Sequence, residues 1–182
     1  MRRIVSKLVL CGETRVGKTS IRRSYFGDSF LKDHLSTLGA DFAVKRVKID
    51  EQTTMELQIW DLAGQEGFSN LRQRFFKGAS SAMMVFDITR RDTFDKLEYW
   101  FKQLWEGRKS KFLPIAIIGN KNDLQIREVS REEVTTYIEK LRTENEIGEE
   151  WIEYFETSAK TGENIEECFQ GVSQALLDKM NK

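Results

Sequence analysis

Apolar runs of strand length alternate with stretches of helical spacing along most of the chain. Three such runs lie at residues 4–11, 82–88 and 113–119, and each is followed by a stretch in which apolar residues recur at helical intervals. Strand followed by helix, repeated, is typical of a doubly wound sheet with helices on both faces. The pattern therefore predicts the α/β fold class.

The helical stretches carry start signals. A short helix is expected after Lys18, and Asp92 is placed to cap a second one. Ser130 and Glu133 match a capping box before a third. The apolar positions expected to face the core are Phe94, Leu97, Phe101 and Leu104 in the second helix, Val134, Tyr137, Ile138 and Leu141 in the third, and Ile165, Cys168, Phe169, Val172 and Leu176 in the last.

Apolar and polar positions alternate one by one between residues 43 and 59. The apolar set is Met55, Leu57 and Ile59, and the set between them is Glu56, Gln58 and Trp60. A hairpin that turns near residues 50–53 explains this period and places one antiparallel strand at the edge of an otherwise parallel sheet. Residues 27–41 and 62–78 fit neither period, so we expect mobile loops there.

Composition limits the classes of function. The chain has 182 residues, 40% of them hydrophobic, which suits one domain spanning residues 1–182. Lys and Arg together number 29, as do Asp and Glu, so no net basic field exists to attract nucleic acid. Cys11 and Cys168 are expected to be buried core residues, not a disulfide or a zinc site.

The sequence offers no membrane segment. No stretch approaches the roughly 18 apolar residues of a membrane span, and Ser6 and Lys7 interrupt the apolar N-terminal run, which favours a first strand over a signal peptide. No lipidation motif is visible. We therefore expect a cytoplasmic protein whose membrane attachment is not encoded in this chain. A peripheral membrane location would then depend on partners or on a tail that the chain lacks.

The chemistry begins where the first strand meets the first helix. Residues 12–19 read GETRVGKT, which fits the phosphate-loop motif G-x-x-x-x-G-K-[ST]. Backbone N–H groups of such a loop converge on phosphate oxygens, and the helix N-terminus favours an anion. Lys18 supplies a positive charge to the β and γ phosphates, while Thr19 offers its hydroxyl to Mg²⁺. The nucleotide-binding residues expected here are Gly12, Thr14, Arg15, Val16, Gly17, Lys18, Thr19 and Ser20.

A second motif, DLAGQE at residues 61–66, follows an apolar strand. Asp61 is placed to hold the same Mg²⁺ directly or through water. Gly64 can donate its N–H to the γ phosphate, and Gln65 can orient an attacking water because its amide both donates and accepts. The catalytic residues expected from the two motifs are Lys18, Gly64 and Gln65.

Two later motifs select the base. NKND at residues 120–123 follows a strand, at the edge where doubly wound sheets bind ligands. The Asp123 carboxylate can accept from both the N1–H and the exocyclic amino group of guanine, whereas adenine offers no matching pair of donors. Lys121 can lay its methylene stem over the base, and Asn120 can tie this loop to the phosphate loop.

The last motif, TSAK at residues 157–160, completes the predicted base site. The Ala159 N–H can meet the guanine O6, while Ser158 and Lys160 shape the loop. A guanine nucleotide, GTP or GDP, is therefore the expected ligand, with Mg²⁺ as its metal.

Together these motifs resemble those of small GTPases of the Ras superfamily across essentially the whole chain. The chain is most similar to the Rab family, through LGADF at 38–42, LQIWDLAGQE at 57–66, FFKGA at 75–79 and DIT at 87–89. The resemblance implies a P-loop G domain, a six-stranded mixed sheet with one antiparallel edge strand, flanked by five helices. It also implies slow hydrolysis of GTP to GDP by a monomeric molecular switch in vesicle trafficking or signalling.

The resemblance adds residues that the motifs alone do not supply. Thr37 would complete the magnesium shell together with Thr19 and Asp61, and Phe30 would stack against the guanine edge. Switch I would span about residues 27–41 and switch II about residues 62–78. Effectors would read an aromatic cluster, and an exchange factor and a GTPase-activating protein are implied as further partners. That cluster consists of Phe42, Trp60 and Phe76.

The chain also departs from the family pattern. Thr14 and Arg15 occupy loop positions that are often small, and bulk at Thr14 can obstruct an arginine finger. Arg15 either reaches the phosphates in cis or is a solvated surface residue. His34 stands where relatives place a tyrosine, and residues 67–71 lack the usual arginine-rich sequence. Partner identity is therefore not carried over.

Three functions remain open from the sequence. The first is a GTP-hydrolysing switch, which Gln65 favours. The second is a non-hydrolysing guanine-nucleotide scaffold, which Thr14 and Arg15 favour. The third is an ATP-dependent P-loop enzyme, which requires Asp123 to be incidental.

Overall fold

The structure is a computed structural model of the chain. It describes residues 2–27, 39–64, 69–108, 113–148 and 150–180, with only the backbone described for residues 69–72. Within these ranges six strands form one sheet in the order β2-β3-β1-β4-β5-β6. The strands are β1 Arg2–Cys11, β2 Ala40–Lys48, β3 Thr53–Leu62, β4 Ser81–Asp87, β5 Ile115–Asn120 and β6 Ile152–Thr157.

The sheet is mixed, as predicted. Edge strand β2 runs antiparallel to β3, and the other neighbouring strands are parallel. The turn between β2 and β3 is held by Asp50, whose Oδ1 accepts from the backbone N–H groups of Gln52 and Thr53, both at 2.7 Å. These bonds lower the pKa of the Asp50 carboxyl, because they favour its charged form. The predicted hairpin is confirmed.

The alternation predicted along β3 holds with one exception. Met55, Leu57 and Ile59 are wholly buried, as expected. Glu56, expected on the polar side, is also buried, because Arg3 donates to its carboxylate and Arg46 Nε lies 3.6 Å from Glu56 Oε2. Two cations thus offset the cost of withdrawing this carboxylate from water.

The described ranges contain the helices α1 Lys18–Phe26, α2 Ser69–Phe76, α3 Arg91–Asp95, α4 Leu97–Gly107, α5 Arg131–Glu144 and α6 Ile165–Met180. Only Lys96 separates α3 from α4, and its φ of −78° and ψ of −8° remain in the helical region. We therefore count α3 and α4 as one interrupted helix. Five helices then flank the sheet, in agreement with the prediction.

The start of α3 corrects one prediction. Asp92 does not cap this helix, because the helix already begins at Arg91 with Arg90 at the cap position. Thr93 explains the earlier start: its buried Oγ1 accepts from the Asp87 N–H at 3.0 Å and donates to the Arg90 carbonyl at 2.7 Å. The helix is thereby tied directly to the end of β4. Asp92 instead pairs with Arg90 at 2.7 Å.

Apolar side chains fill both faces of the sheet. One cluster packs α3, α4 and α5 against the sheet and includes Trp100 and Phe101, while the other packs α1 and α6 and includes Ile21 and Phe169. The predicted capping box of α5 is present, with Ser130 and Glu133 each accepting from the other's backbone N–H. Both cysteines are buried, as predicted. Within the described ranges, no helix combines the length and the apolar character that a membrane span requires.

Candidate nucleotide-binding site

The loop between β1 and α1 has a backbone that a phosphate loop requires. Gly12, Arg15 and Gly17 have φ values of 137°, 63° and 103°. A Cβ on Gly12 would lie 2.1 Å from the Val85 carbonyl oxygen, so the loop turns in contact with β4. Gly17, at the cap position of α1, has no side chain that could accept from the first backbone N–H groups of the helix, so it leaves them to other acceptors. The arrangement matches the N-terminal anion sites of α/β proteins.

Lys18 bends back over this loop. Its ammonium donates to the Gly12 carbonyl at 2.8 Å and to the Glu13 carbonyl at 2.7 Å, and the residue is only 6% exposed. A buried ammonium held by two carbonyl dipoles is an expensive arrangement to maintain. The positive charge is therefore concentrated at the loop, where an anionic ligand would meet it.

Thr19 and Asp61 supply a pair of oxygen donors beside the loop. Thr19 Oγ1 donates to Asp61 Oδ2 at 2.5 Å, and Asp61 is wholly buried at the end of β3. Burial raises the pKa of the Asp61 carboxyl, although the bond from Thr19 and the charge of Lys18 oppose that shift. Asp61 Oδ1 is buried and has no hydrogen-bond partner among the described residues. A hydroxyl and a buried carboxylate with one unsatisfied oxygen fit a hard divalent cation such as Mg²⁺.

Gly64 brings the end of β3 against the loop. A Cβ built on Gly64 would lie 2.4 Å from the Thr14 nitrogen and 2.5 Å from the Glu13 carbonyl carbon. Only glycine allows the two backbones to approach so closely. In addition, Ala63 N–H donates to the Gly39 carbonyl at 2.8 Å, so one residue of each predicted switch region is bonded to the other region.

Asn120 joins three loops at the opposite side of the site. Its Nδ2 donates to the Val16 carbonyl at 2.8 Å, and its Oδ1 accepts from Ala159 N–H at 3.1 Å and from Thr157 Oγ1 at 3.2 Å. A Cβ on Gly17 would come within 2.2 Å of the same Nδ2. The predicted tie between the NKND segment and the phosphate loop is confirmed.

Asp123 is held in place from the TSAK segment. Ser158 Oγ donates to Asp123 Oδ1 at 2.7 Å, and Lys160 Nζ lies 3.8 Å from Asp123 Oδ2. Lys121 has a left-handed φ of 73°, and its ammonium lies 2.5 Å from the buried Asp87 Oδ2. A non-glycine residue in this conformation stores strain, which is common at ligand sites. The carboxylate expected to contact the base is thus oriented by Ser158 and Lys160 of the TSAK segment.

The aromatic cluster differs from the prediction in one member. The rings of Phe42 and Trp60 are 4.9 Å apart, and Phe42 is 46% exposed. Phe76 is wholly buried, and its Cβ packs close to Gly107 of α4. Phe75 takes the third place, with its ring 5.5 Å from that of Trp60. Neighbouring helical residues point about 100° apart, so only one of this pair can face Trp60.

Three contacts at the site were missed by sequence reasoning. Trp100 Nε1 donates to Glu13 Oε1 at 3.0 Å, and Arg90 donates to the Thr14 carbonyl at 3.4 Å. No local pattern connects positions so distant in the chain. Arg22, which lies 4.0 Å from Asp61, was findable, because it follows Thr19 by three residues on α1.

Some predicted residues lie outside the described ranges. These are Phe30, His34, Thr37, Gln65 and residues 66–68. The side chains of residues 69–72 also lie outside them. Their expected roles stay predictions.

The strand order, with its single antiparallel edge strand and the glycine-containing loop between β1 and α1, defines the class: a Ras-like P-loop GTPase fold. A family model described as Ras family matches residues 7–178. The chain therefore belongs to the Ras family. Members of this family are small GTPases that act as molecular switches. They generally bind GTP, GDP and Mg²⁺ and interact with effectors, exchange factors and activating proteins.

Proposed function

We propose that this chain is a single G domain that binds GTP and GDP with Mg²⁺ and slowly hydrolyses GTP. The observation that carries the proposal is the position of Asn120, which bonds the phosphate loop at Val16 and the TSAK segment at Ala159. Because one amide joins the two halves, a ligand that fills both must place its phosphates and its base at a fixed separation. A guanine nucleotide meets that requirement.

The base is selected by Asp123. Its carboxylate is held by Ser158, which leaves acceptor capacity for the two donors of guanine. Ala159 N–H is already bonded to Asn120, so we propose that it contacts the guanine O6 through a shared bond or a small shift of the loop. Lys160 Nζ lies 3.8 Å from this carboxylate. The stem of Lys121 is proposed to cover the base.

The phosphates are bound by the loop and by Lys18. The buried ammonium exchanges its bonds to the Gly12 and Glu13 carbonyls for phosphate oxygens. The N–H groups of the remaining loop residues bind further phosphate oxygens; those residues are Thr14, Arg15, Val16, Gly17, Thr19 and Ser20. Arg15 is exposed, so it is available at the mouth of the loop.

Thr19 and Asp61 are proposed to hold Mg²⁺ together with Thr37. When bound, the ion offsets the charge that develops on the phosphates during transfer. Thr19 must first release its hydrogen bond to Asp61, which frees the hydroxyl oxygen and the carboxylate. Asp61 Oδ1, unpartnered among the described residues, is the other available oxygen.

Hydrolysis is assigned to Gln65 and Gly64. Gln65 is proposed to orient the attacking water, and Gly64 to donate its N–H to the γ phosphate. Gly64 packs directly on Thr14, so a γ phosphate at this loop would press on the Gly64 backbone. The bond from Ala63 to Gly39 would transmit that displacement to switch I.

Effectors are proposed to bind the aromatic surface formed by exposed Phe42 and half-buried Trp60 and Phe75. Phe75 replaces Phe76, which is buried. The surface adjoins both switch regions, so its partners would distinguish the two nucleotide states. A Rab-like role in trafficking or signalling is proposed from the Rab-type sequence runs around these rings.

A non-hydrolysing scaffold is the second candidate. Thr14 and Arg15 are both exposed at the loop, where they would obstruct an arginine finger from an activating protein. A non-hydrolysing scaffold would bind guanine nucleotides equally well. Base selection therefore does not separate the two candidate functions, whereas a measurement of GTP hydrolysis does.

Base selection is tested by Asp123→Asn. The amide nitrogen of asparagine can donate to the oxygen that xanthine carries where guanine has its amino group. We expect the variant to lose GDP affinity by about a hundredfold or more and to gain affinity for xanthosine diphosphate. Asp178→Asn, at the exposed end of α6, is the control. Equal binding of GDP, ADP and xanthosine diphosphate by the unmodified protein would refute the guanine assignment.

A further inference from the structure

Two carboxylates face each other where β2 meets the candidate metal site. Asp41 is directly opposite Asp61 in the antiparallel register of β2 and β3, so both side chains leave the sheet on the same face. The side chain of Asp61 is wholly buried, whereas that of Asp41 is 54% exposed. Like charges placed directly opposite each other destabilise a strand pair. A positive charge beside them offsets that repulsion.

Arg22 of α1 provides such a charge. Its Nη2 lies 2.5 Å from Asp41 Oδ2, and its Nε lies 4.0 Å from Asp61 Oδ2. The Arg22 side chain is 14% exposed, and its Nε makes no hydrogen bond within the described ranges. The guanidinium is therefore bonded to Asp41 and close to Asp61 without being bonded to it.

The same helix face carries a proposed metal ligand. Arg22 follows Thr19 by three residues, so both side chains project from α1 towards the end of β3. Thr19 donates to the Asp61 oxygen that Arg22 approaches. A cation entering this site thus meets a fixed guanidinium about 4 Å from the carboxylate it must bind.

We propose that Arg22 is a positioning residue that weakens Mg²⁺ binding by competing for Asp61, and that Asp41 limits this competition by holding the guanidinium. The inference rests on the proposed Mg²⁺-dependent nucleotide binding. Removing the positive charge makes the site more negative and strengthens Mg²⁺ binding. Removing the Asp41 charge frees the guanidinium to approach Asp61, and this weakens Mg²⁺ binding. The pair thereby sets how much Mg²⁺ the protein needs to retain its nucleotide.

A purely mechanical role for the ion pair has a different consequence. If Arg22 and Asp41 only tether α1 to β2, breaking the pair from either side loosens the same contact. Arg22→Gln and Asp41→Asn would then change Mg²⁺ binding in the same direction. Electrostatic competition instead predicts opposite directions. The signs of the two effects therefore separate the two roles without any assumption about their size.

The experiment measures release of a fluorescent GDP, methylanthraniloyl-GDP, from the full chain over a range of Mg²⁺ concentrations. For each protein the readout is the Mg²⁺ concentration that slows release halfway. The variants are Arg22→Gln, Asp41→Asn and the double variant. Arg23→Gln is the matched control, because it removes the same charge from the next position of α1 and leaves the contacts of Arg22 with Asp41 and Asp61 in place.

We expect the halfway concentration to fall about threefold to tenfold in Arg22→Gln and to rise by a similar factor in Asp41→Asn. The double variant, which loses one charge of each sign, should lie near the unmodified protein, as should Arg23→Gln. Shifts in the same direction, or no shift, would overturn the inference. If Arg22→Gln does not fold, a halfway concentration that falls or stays unchanged in Asp41→Asn would still overturn the inference. If release of the fluorescent GDP from the unmodified protein does not depend on the Mg²⁺ concentration, the proposed metal site itself is refuted.

Discussion

The indole Nε1 of Trp100 donates to Glu13 Oε1 at 3.0 Å, which links α4 to the start of the phosphate loop. Trp100 is wholly buried, and Glu13 supplies one of the two carbonyls that hold Lys18. A buried indole N–H needs a partner, and here the partner is part of the candidate nucleotide site. The packing of α4 against the sheet therefore helps to fix the shape of the loop.

Trp100→Phe should reduce both stability and nucleotide affinity. The ring that remains fills most of the space, but the bond to Glu13 is lost and a small cavity forms. We expect the free energy of unfolding to fall by about 1 to 3 kcal/mol in urea denaturation. GDP affinity should fall as well, because the loop loses an anchor. Trp105→Phe, a partly buried ring that stacks on Phe101 away from the loop, is the control and should leave GDP affinity unchanged.

Asn120→Ala should lower stability and nucleotide affinity more than Asn122→Ala does. It leaves the buried Val16 carbonyl and the Ala159 N–H without their partner. We expect the free energy of unfolding to fall by about 2 to 4 kcal/mol, together with a large loss of nucleotide affinity. Asn122→Ala removes bonds to exposed Glu163 and Arg127 and serves as the comparison. Equal effects of the two substitutions on GDP binding would contradict the bridging role of Asn120.

The limits of sequence reasoning follow from the range of the interactions. Strands β1 to β5, the capping box of α5 and the tie from Asn120 were predictable because each depends on a short motif or a local period. No local period predicted β6, and α2 lies within residues 62–78, which were expected to form a loop. The Trp100 bond to Glu13 spans 87 positions, and no periodicity encodes it. Sequence reasoning placed Phe76 in the aromatic cluster instead of Phe75, because adjacent aromatic residues allow two possible orientations of the helix. Only the packing of Phe76 against α4 decides between them.

Asp61 should make the metal-free protein less stable as the pH rises. Burial raises the pKa of this carboxyl in the folded protein above its value in the unfolded chain. Between those two values the folded state binds more protons than the unfolded state, so the contribution of Asp61 to stability falls as the pH rises through that window.

Urea denaturation in EDTA at about pH 5 and about pH 8 tests this dependence. The difference between Asp61→Asn and the unmodified protein should shift in favour of the variant at the higher pH. A difference that is independent of pH would show that Asp61 is not destabilised by burial. Mg²⁺ should stabilise the unmodified protein and not the variant.

Gly64→Ala tests the close approach of β3 to the phosphate loop. The added methyl would lie 2.4 Å from the Thr14 nitrogen, so one backbone must move. We expect the free energy of unfolding of the metal-free protein to fall by about 1 to 3 kcal/mol, which is typical of overpacking. Gly148→Ala is the control, since its nearest neighbour, Glu150 Oε2, would lie at 3.8 Å from the new methyl. If Gly64→Ala is as stable as Gly148→Ala, the backbones at Gly64 and Thr14 can separate without strain.

We propose above all that this chain hydrolyses the GTP it binds. Single-turnover hydrolysis of GTP by the purified protein with Mg²⁺, beside Gln65→Leu and an ATP control, tests it most directly. We predict slow loss of GTP that the variant abolishes, with ATP neither bound nor hydrolysed. Tight GTP binding without turnover in either protein, alone or with an activating partner, would contradict the proposed hydrolysis and favour the non-hydrolysing scaffold.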